Sequence, residues 1–167
     1  YYIALNIDLL YNLLYKLLIL LIMHKSIFLI ALLSSFVTAE NFDVKMVNAD
    51  ASGQVMVFDP PFIKANVGDT VTFLPTDMLH NSQSVPGLIP SSASSWNGAM
   101  NEKITIELNA EGVYVYQCTP HIALGMIGVI QVGSPTNIDD VRNSVSSLET
   151  MIVMNKERVQ QYLSQVN

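Results

Sequence analysis

The chain contains one cysteine, one tryptophan and three histidines in 167 residues. A single cysteine excludes an internal disulfide framework and any zinc site built on four cysteines. Charge is also scarce. Only 13% of residues are charged, and 8 bases face 14 acids for a net charge of −6. So few bases leave no electrostatic footprint for nucleic acid. Low charge beside 50% hydrophobic content also excludes a disordered polyelectrolyte. No segment repeats. The length is enough for one domain with its own core.

The hydrophobic half is unevenly spread. In residues 1–39 the only charged side chains are Asp8, Lys16 and Lys25. The first residue is Tyr1 and the first methionine is Met23. From Met23 the pattern is that of a secretory signal: a basic start at His24-Lys25, an apolar run over 27–36, then compact Val37-Thr38-Ala39 where a signal peptidase reads. We therefore expect 23–39 to be a signal peptide cut after Ala39. Residues 1–22 are expected to be upstream sequence translated from a misplaced start. The alternative is one membrane anchor over 9–36. That stretch exceeds the roughly 20 apolar residues a span needs, but Lys16, His24 and Lys25 interrupt it. No cysteine lies near the cleavage site to carry a lipid. The working domain is then 40–167. It keeps 13 of the 14 acids and 6 of the 8 bases, for a net charge of −7. Export places it in the periplasm, with no membrane association after cleavage.

Residues 40–133 read as an all-β sandwich. Short runs rich in Val, Ile, Phe, Tyr and Thr are bounded by Gly, Pro, Asn and Asp. Strands are predicted over 42–47, 55–58, 62–65, 70–74, 104–108, 113–117 and 127–132. In 70–74, Val71 and Phe73 oppose Thr70 and Thr72, and in 104–108 Ile104, Ile106 and Leu108 share a face. This alternation marks half-buried strands. Residues 84–101, rich in serine with proline, glycine and Trp96, read as a long surface excursion carrying a short helix or irregular turns. Residues 134–167 change to helical spacing. Asn137 is placed to cap a helix whose first turn holds Asp139 and Asp140, with Val141, Val145 and Leu148 on one face. A second helix begins near Asn155 and carries Val159, Tyr162, Leu163 and Val166.

Chemistry concentrates in Cys118-Thr119-Pro120-His121 and Met126, between two predicted strands. His80 lies 38 residues before Cys118, just after the strand 70–74. Taken singly, each residue has a plainer role: a buried free cysteine is a small hydrophobe, a histidine a hydrogen-bonding group, a methionine core filler. Together they differ. The working domain has two histidines and one cysteine, and all three fall in this one arrangement. Two imidazoles, a thiolate and a weak axial thioether are the donor set of a blue-copper electron-transfer site. Cu(I) favours soft sulfur, Cu(II) accepts imidazole and thiolate, and a site fixed between them moves little on electron transfer. Structural zinc fits less well, because a thioether is a poor fourth ligand. A cysteine nucleophile with a histidine base lacks an orienting acid in the loop.

Cys118-Thr119-Pro120-His121-x4-Met126, preceded by Gly112-Val113-Tyr114, resembles the cupredoxins and, among them, the pseudoazurins. Met56-Val57-Phe58, the run from Phe62 to Phe73, Pro75-Thr76-Asp77, His80-Asn81, Leu88-Ile89-Pro90, Asn101-Glu102 and the C-terminal helices match too. The likeness covers essentially all of 40–167. It implies an all-β Greek-key sandwich with two C-terminal α-helices. It implies one copper ion, held by His80, Cys118, His121 and, weakly, Met126. Asn81 would tie the two ligand loops together and offer its backbone N–H to the Cys118 sulfur. Pro120, lacking an N–H, limits the donors that reach that sulfur, and Met56 would lie near the His121 ring. An apolar patch of Met78, Leu79, Pro120, Ile122 and Leu124 would surround the exposed His121 edge as the electron port.

The function so implied is a monomeric one-electron carrier, not an enzyme. It would take an electron from a donor such as a cytochrome and pass it to an acceptor such as a copper nitrite reductase or another periplasmic reductase. The alternative is a copper storage or delivery protein, although ligands drawn from two separated loops favour retention. One departure bears on the partner. Pseudoazurins typically ring the patch with lysines, whereas this chain has Ala49, Met78, Asn97, Ala99 and Gln117 at the matching places. An acceptor with an acidic docking face would gain little steering from such a surface.

Overall fold

A computed structural model describes residues 2–31 and 38–167. The chain separates into two units, 1–38 and 39–167. In the first, helix α1 runs Tyr2–Ala31, and its side chains from Leu9 to Met23 are exposed. Among the described residues no helix is long and apolar enough to cross a membrane. Residues 32–37 of the expected signal segment lie outside the described residues.

The second unit is a sandwich of two mixed sheets. One holds β1 (Asn41–Ala49), β2 (Val55–Asp59), β4 (Thr70–Pro75) and β6 (Ile104–Glu107) in the order β2-β1-β4-β6. The other holds β3 (Phe62–Ala65), β5 (Gln83–Ser84), β7 (Gly112–Gln117) and β8 (Ile127–Val132) in the order β3-β8-β7-β5. β1 runs parallel to β4, with Phe42 opposite Val71, and β3 runs parallel to β8; the other neighbours are antiparallel. All seven expected strands match within two residues at each end, and 62–65 and 127–132 coincide with their predictions. The two-residue β5 was not expected; at that length it has no periodicity to display.

Two cores follow from strand parity. Successive side chains point to opposite faces. On β7, Tyr114 and Tyr116 enter the space between the sheets with Phe58, Phe73 and Trp96. Val113 and Val115 face the other way, onto the C-terminal helices. β8 does the same, with Ile130 and Val132 inward and Ile127 and Val129 outward. The outer layer comprises α2 (Ile138–Ser144), α3 (Ser146–Met151) and α4 (Glu157–Leu163). The first expected helix thus arrives as two segments meeting at Val145, and Val141, Val145, Leu148, Val159, Tyr162, Leu163 and Val166 all bury in this second core.

Two local expectations are corrected. Asn137 makes no side-chain cap bond to α2. Its Oδ1 instead accepts Val113 N–H at 2.6 Å and its Nδ2 donates to Val113 C=O at 3.0 Å. That pair closes a stretch of the β7 edge that β5 is too short to reach, which blunts an otherwise open ladder. The excursion over 84–101 takes irregular turns, one of its two expected forms, but is not wholly superficial. Val85, Leu88 and Trp96 are buried, and the Trp96 indole N–H donates to the Ser82 hydroxyl at 2.9 Å.

Candidate metal centre

The same parity that builds the core aims two of the candidate ligands. Cys118 is the next inward position after Tyr114 and Tyr116, and Met126 precedes Gly128 and Ile130 on β8. Both are fully buried in the inter-sheet core. Gln117 lies opposite Ile127, and Cys118 N–H donates to Met126 C=O at 3.0 Å, so the pair closes the mouth of the β7–β8 ladder. Between them a 3₁₀ turn, Thr119–Leu124, starts with Pro120 in its first turn, breaks helical geometry at His121 and ends at Gly125 with φ 74°.

His80 approaches from the other sheet, beyond the end of β4. It is fully buried. Leu79, before it, has φ 69° and its amide donates to Asn101 Oδ1. Asn101 N–H in turn donates to His80 C=O at 2.8 Å. The irregular segment after β5 therefore holds the His80 loop in place.

Three donor atoms converge. Cys118 Sγ lies 3.6 Å from His80 Nδ1 and 3.5 Å from His121 Nδ1, and the two Nδ1 atoms are 3.1 Å apart. His80 Nε2 sits 3.1 Å from Asn48 Oδ1. A carbonyl oxygen only accepts, so Nε2 carries the proton and Nδ1 presents a lone pair to the centre. A metal with bonds of about 2.0–2.3 Å spaces three trigonal donors about 3.5–3.8 Å apart, and the observed set lies at or just inside that spacing. Two imidazole Nδ1 atoms and a sulfur gathered around one point fit a soft-to-borderline cation.

The electrostatics agree. Burial pushes the His80 pKa down, the His121 ring pushes it the same way, and Asp77 opposes both. Burial also lowers His121. Both imidazoles are thereby held neutral and ready to donate to a metal. Burial pushes the Cys118 thiol up, while the backbone N–H groups of Asn81 and His121 at the sulfur oppose it. Those two donors favour the thiolate that a metal needs.

Asn81 bridges the segment after His80 and the one after Cys118. Its Oδ1 accepts the Thr119 N–H at 2.9 Å and the Thr119 hydroxyl at 3.1 Å, and its Nδ2 donates to Gly98 C=O at 3.1 Å. Met56 is half-buried at the rim of the inter-sheet core. In the expected patch, Met78 and Leu79 are 67% and 63% exposed. Pro120 is exposed, Leu124 is half-exposed, and Ile122 packs partly against the helical core. Sequence reasoning missed Asn48. It lies 32 residues before His80, an asparagine in a strand carries no spacing signal, and only the parallel pairing of β1 with β4 brings it near. It also missed Asn155 and Arg158, which hold the loop before Met126.

A β-sandwich that gathers two imidazoles, one buried thiol and a buried thioether at one end is a small copper protein of the cupredoxin class. The family model for copper-binding proteins of the plastocyanin/azurin family matches residues 44–133. A pseudoazurin from Paracoccus pantotrophus is 36% identical over 130 residues, 77% of this chain and 86% of that protein. The crystal structure of native pseudoazurin from Hyphomicrobium denitrificans superposes with a TM-score of 0.69 at 34% identity, covering 76% of this chain and 98% of the other. A Sinorhizobium pseudoazurin structure gives 0.69 at 40% identity, covering 75% and 95%. The chain belongs to the plastocyanin/azurin family of copper-binding proteins, among the pseudoazurins, and its cofactor is copper.

Proposed function

We propose that this protein is a periplasmic electron carrier that shuttles single electrons between redox proteins and performs no substrate chemistry of its own. His80 and His121 would hold copper through Nδ1, Cys118 through its thiolate and Met126 as the weak axial ligand. When bound, copper supplies a one-electron Cu(I)/Cu(II) couple. The observation that carries the proposal is the convergence of three donors from two separated loops, with His80 oriented by Asn48 and the loops joined by Asn81. A site assembled this way before the metal arrives resists rearrangement when the copper changes charge. Small rearrangement means a low barrier to electron transfer, whereas a delivery site needs ligands that let go. The segment 23–39 would direct export and be removed.

Partners would meet the protein at the exposed Met78 and Leu79 beside the His121 loop. A small apolar patch suits a complex that must dissociate quickly. The test is to add Cu(II) to the purified protein. We expect an intense blue thiolate-to-copper band with reversible one-electron cycling, abolished by Cys118→Ser. Copper bound without that band, or lost readily to a weak chelator, overturns the carrier and supports delivery.

A further inference from the structure

The loop between His121 and Met126 is held on its outer side by the segment joining α3 to α4 and by the first turn of α4. Three consecutive loop carbonyls are engaged. Ala123 C=O accepts the Val153 and Met154 N–H groups at 2.9 and 3.0 Å. Leu124 C=O accepts Asn155 Nδ2 at 2.9 Å. Gly125 C=O accepts Arg158 Nη1 at 3.2 Å. The approach is close enough that a Cβ on Gly125 would sit 2.8 Å from Met154 C=O, so glycine is required there for contact as well as for its positive φ.

Arg158 is 4% exposed, and its partners are carbonyls, not a carboxylate. Besides Gly125, Nη1 donates to Met56 C=O at 2.9 Å and Nη2 to Val55 C=O at 3.0 Å. In a regular strand successive carbonyls point opposite ways. Met56 has φ 50°, which breaks the alternation and turns both carbonyls toward one guanidinium. Burying a cation this way is costly unless its hydrogen bonds are well made. The planar fork spans three carbonyls where a lysine ammonium could not hold the same geometry. The Gly125 carbonyl belongs to the peptide that carries the Met126 N–H, so fixing it fixes the backbone of the axial ligand.

We propose that Asn155 and Arg158 are positioning residues of the copper centre, acting through the Leu124 and Gly125 carbonyls to set the placement of Met126. This rests on Met126 being the axial ligand.

Arg158→Lys keeps the charge but not the fork, and Arg158→Met loses both. Asn155 has φ 55°, so Asn155→Gly deletes the side chain while keeping the backbone comfortable. In the metal-free protein, amide exchange should speed up at Gly125, Met126 and Ile127 more than at Tyr114 and Ile130 in all three variants. In the copper-loaded protein, the balance of the thiolate-to-copper bands should shift, and copper loss to a chelator should rise about 10–100-fold. If exchange rises evenly over the domain and the bands stay as in the parent, both residues merely stabilise the fold and the proposal fails. If only Arg158→Met changes the bands, the effect is one of charge, and positioning through the fork fails. A parent protein with no blue band would sink the ligand set, while the metal-free exchange would still report on the clamp.

Discussion

His80 shows how much a single polar contact decides. Its buried ring has Nε2 on Asn48 Oδ1 and Nδ1 toward Cys118 and His121. Asn48→Ala should leave that N–H unpaired and cost about 1–3 kcal/mol of stability. The freed ring should also lower copper affinity about 10–100-fold; denaturant unfolding and chelator competition measure the two. The ligands' protonation fixes a pH dependence as well. Folding depresses both histidines below the ordinary imidazole value of 6.5, His80 chiefly by burial and His121 by burial. The unfolded chain therefore binds more protons just below that value. Their contribution to metal-free stability is present above pH 6.5 and should be lost as pH falls through the depressed values. Cys118 is shifted the other way, up from 9.0, so its contribution is present below pH 9 and should fade above it. Copper must displace that thiol proton, so binding should release protons and tighten as pH rises from acid toward neutrality. Melting of the metal-free protein across pH, with proton release on titration, checks each sign.

At the scale of elements, β7 and β8 carry the site because both of their faces are buried. Both were legible in the sequence as the strand runs 113–117 and 127–132, although two-sided burial was not, since a near-continuous apolar run reads alike in a strand or a buried helix. The Tyr116 ring lies over Gly128, where a Cβ would come within 2.3 Å of it. Tyr116 is fully buried among Phe58, Phe73 and Trp96 and has nowhere to retreat. Gly128→Ala should therefore cost about 1–3 kcal/mol by overpacking, read as a lower denaturation midpoint. The strain falls two residues from Met126, so the blue band should shift with it. The helices were legible from their apolar spacing, but the role of Asn137 was not. A capping asparagine and one that closes a strand edge look identical until the neighbouring strand is in place.

For the whole molecule, the balance of charge governs encounter. The domain from Glu40 onward carries a net charge of −7, and Met78 and Leu79 stand exposed at the copper end. Association with an acidic-faced reductase should therefore be slow at low salt and change little, or quicken, as salt is added. A docking rate that fell steeply with salt would refute apolar docking.

The sequence alone determined which residues carry the chemistry. A domain with one cysteine and two histidines leaves few ways to build a soft metal site. Only the tertiary structure decided what holds that chemistry still. Asn48, Asn155 and Arg158 reach the centre from 31 to 103 residues away from the groups they bond. Those partnerships follow from the parallel pairing of β1 with β4 and from helices laid back across β7 and β8, and no local spacing along the chain encodes them.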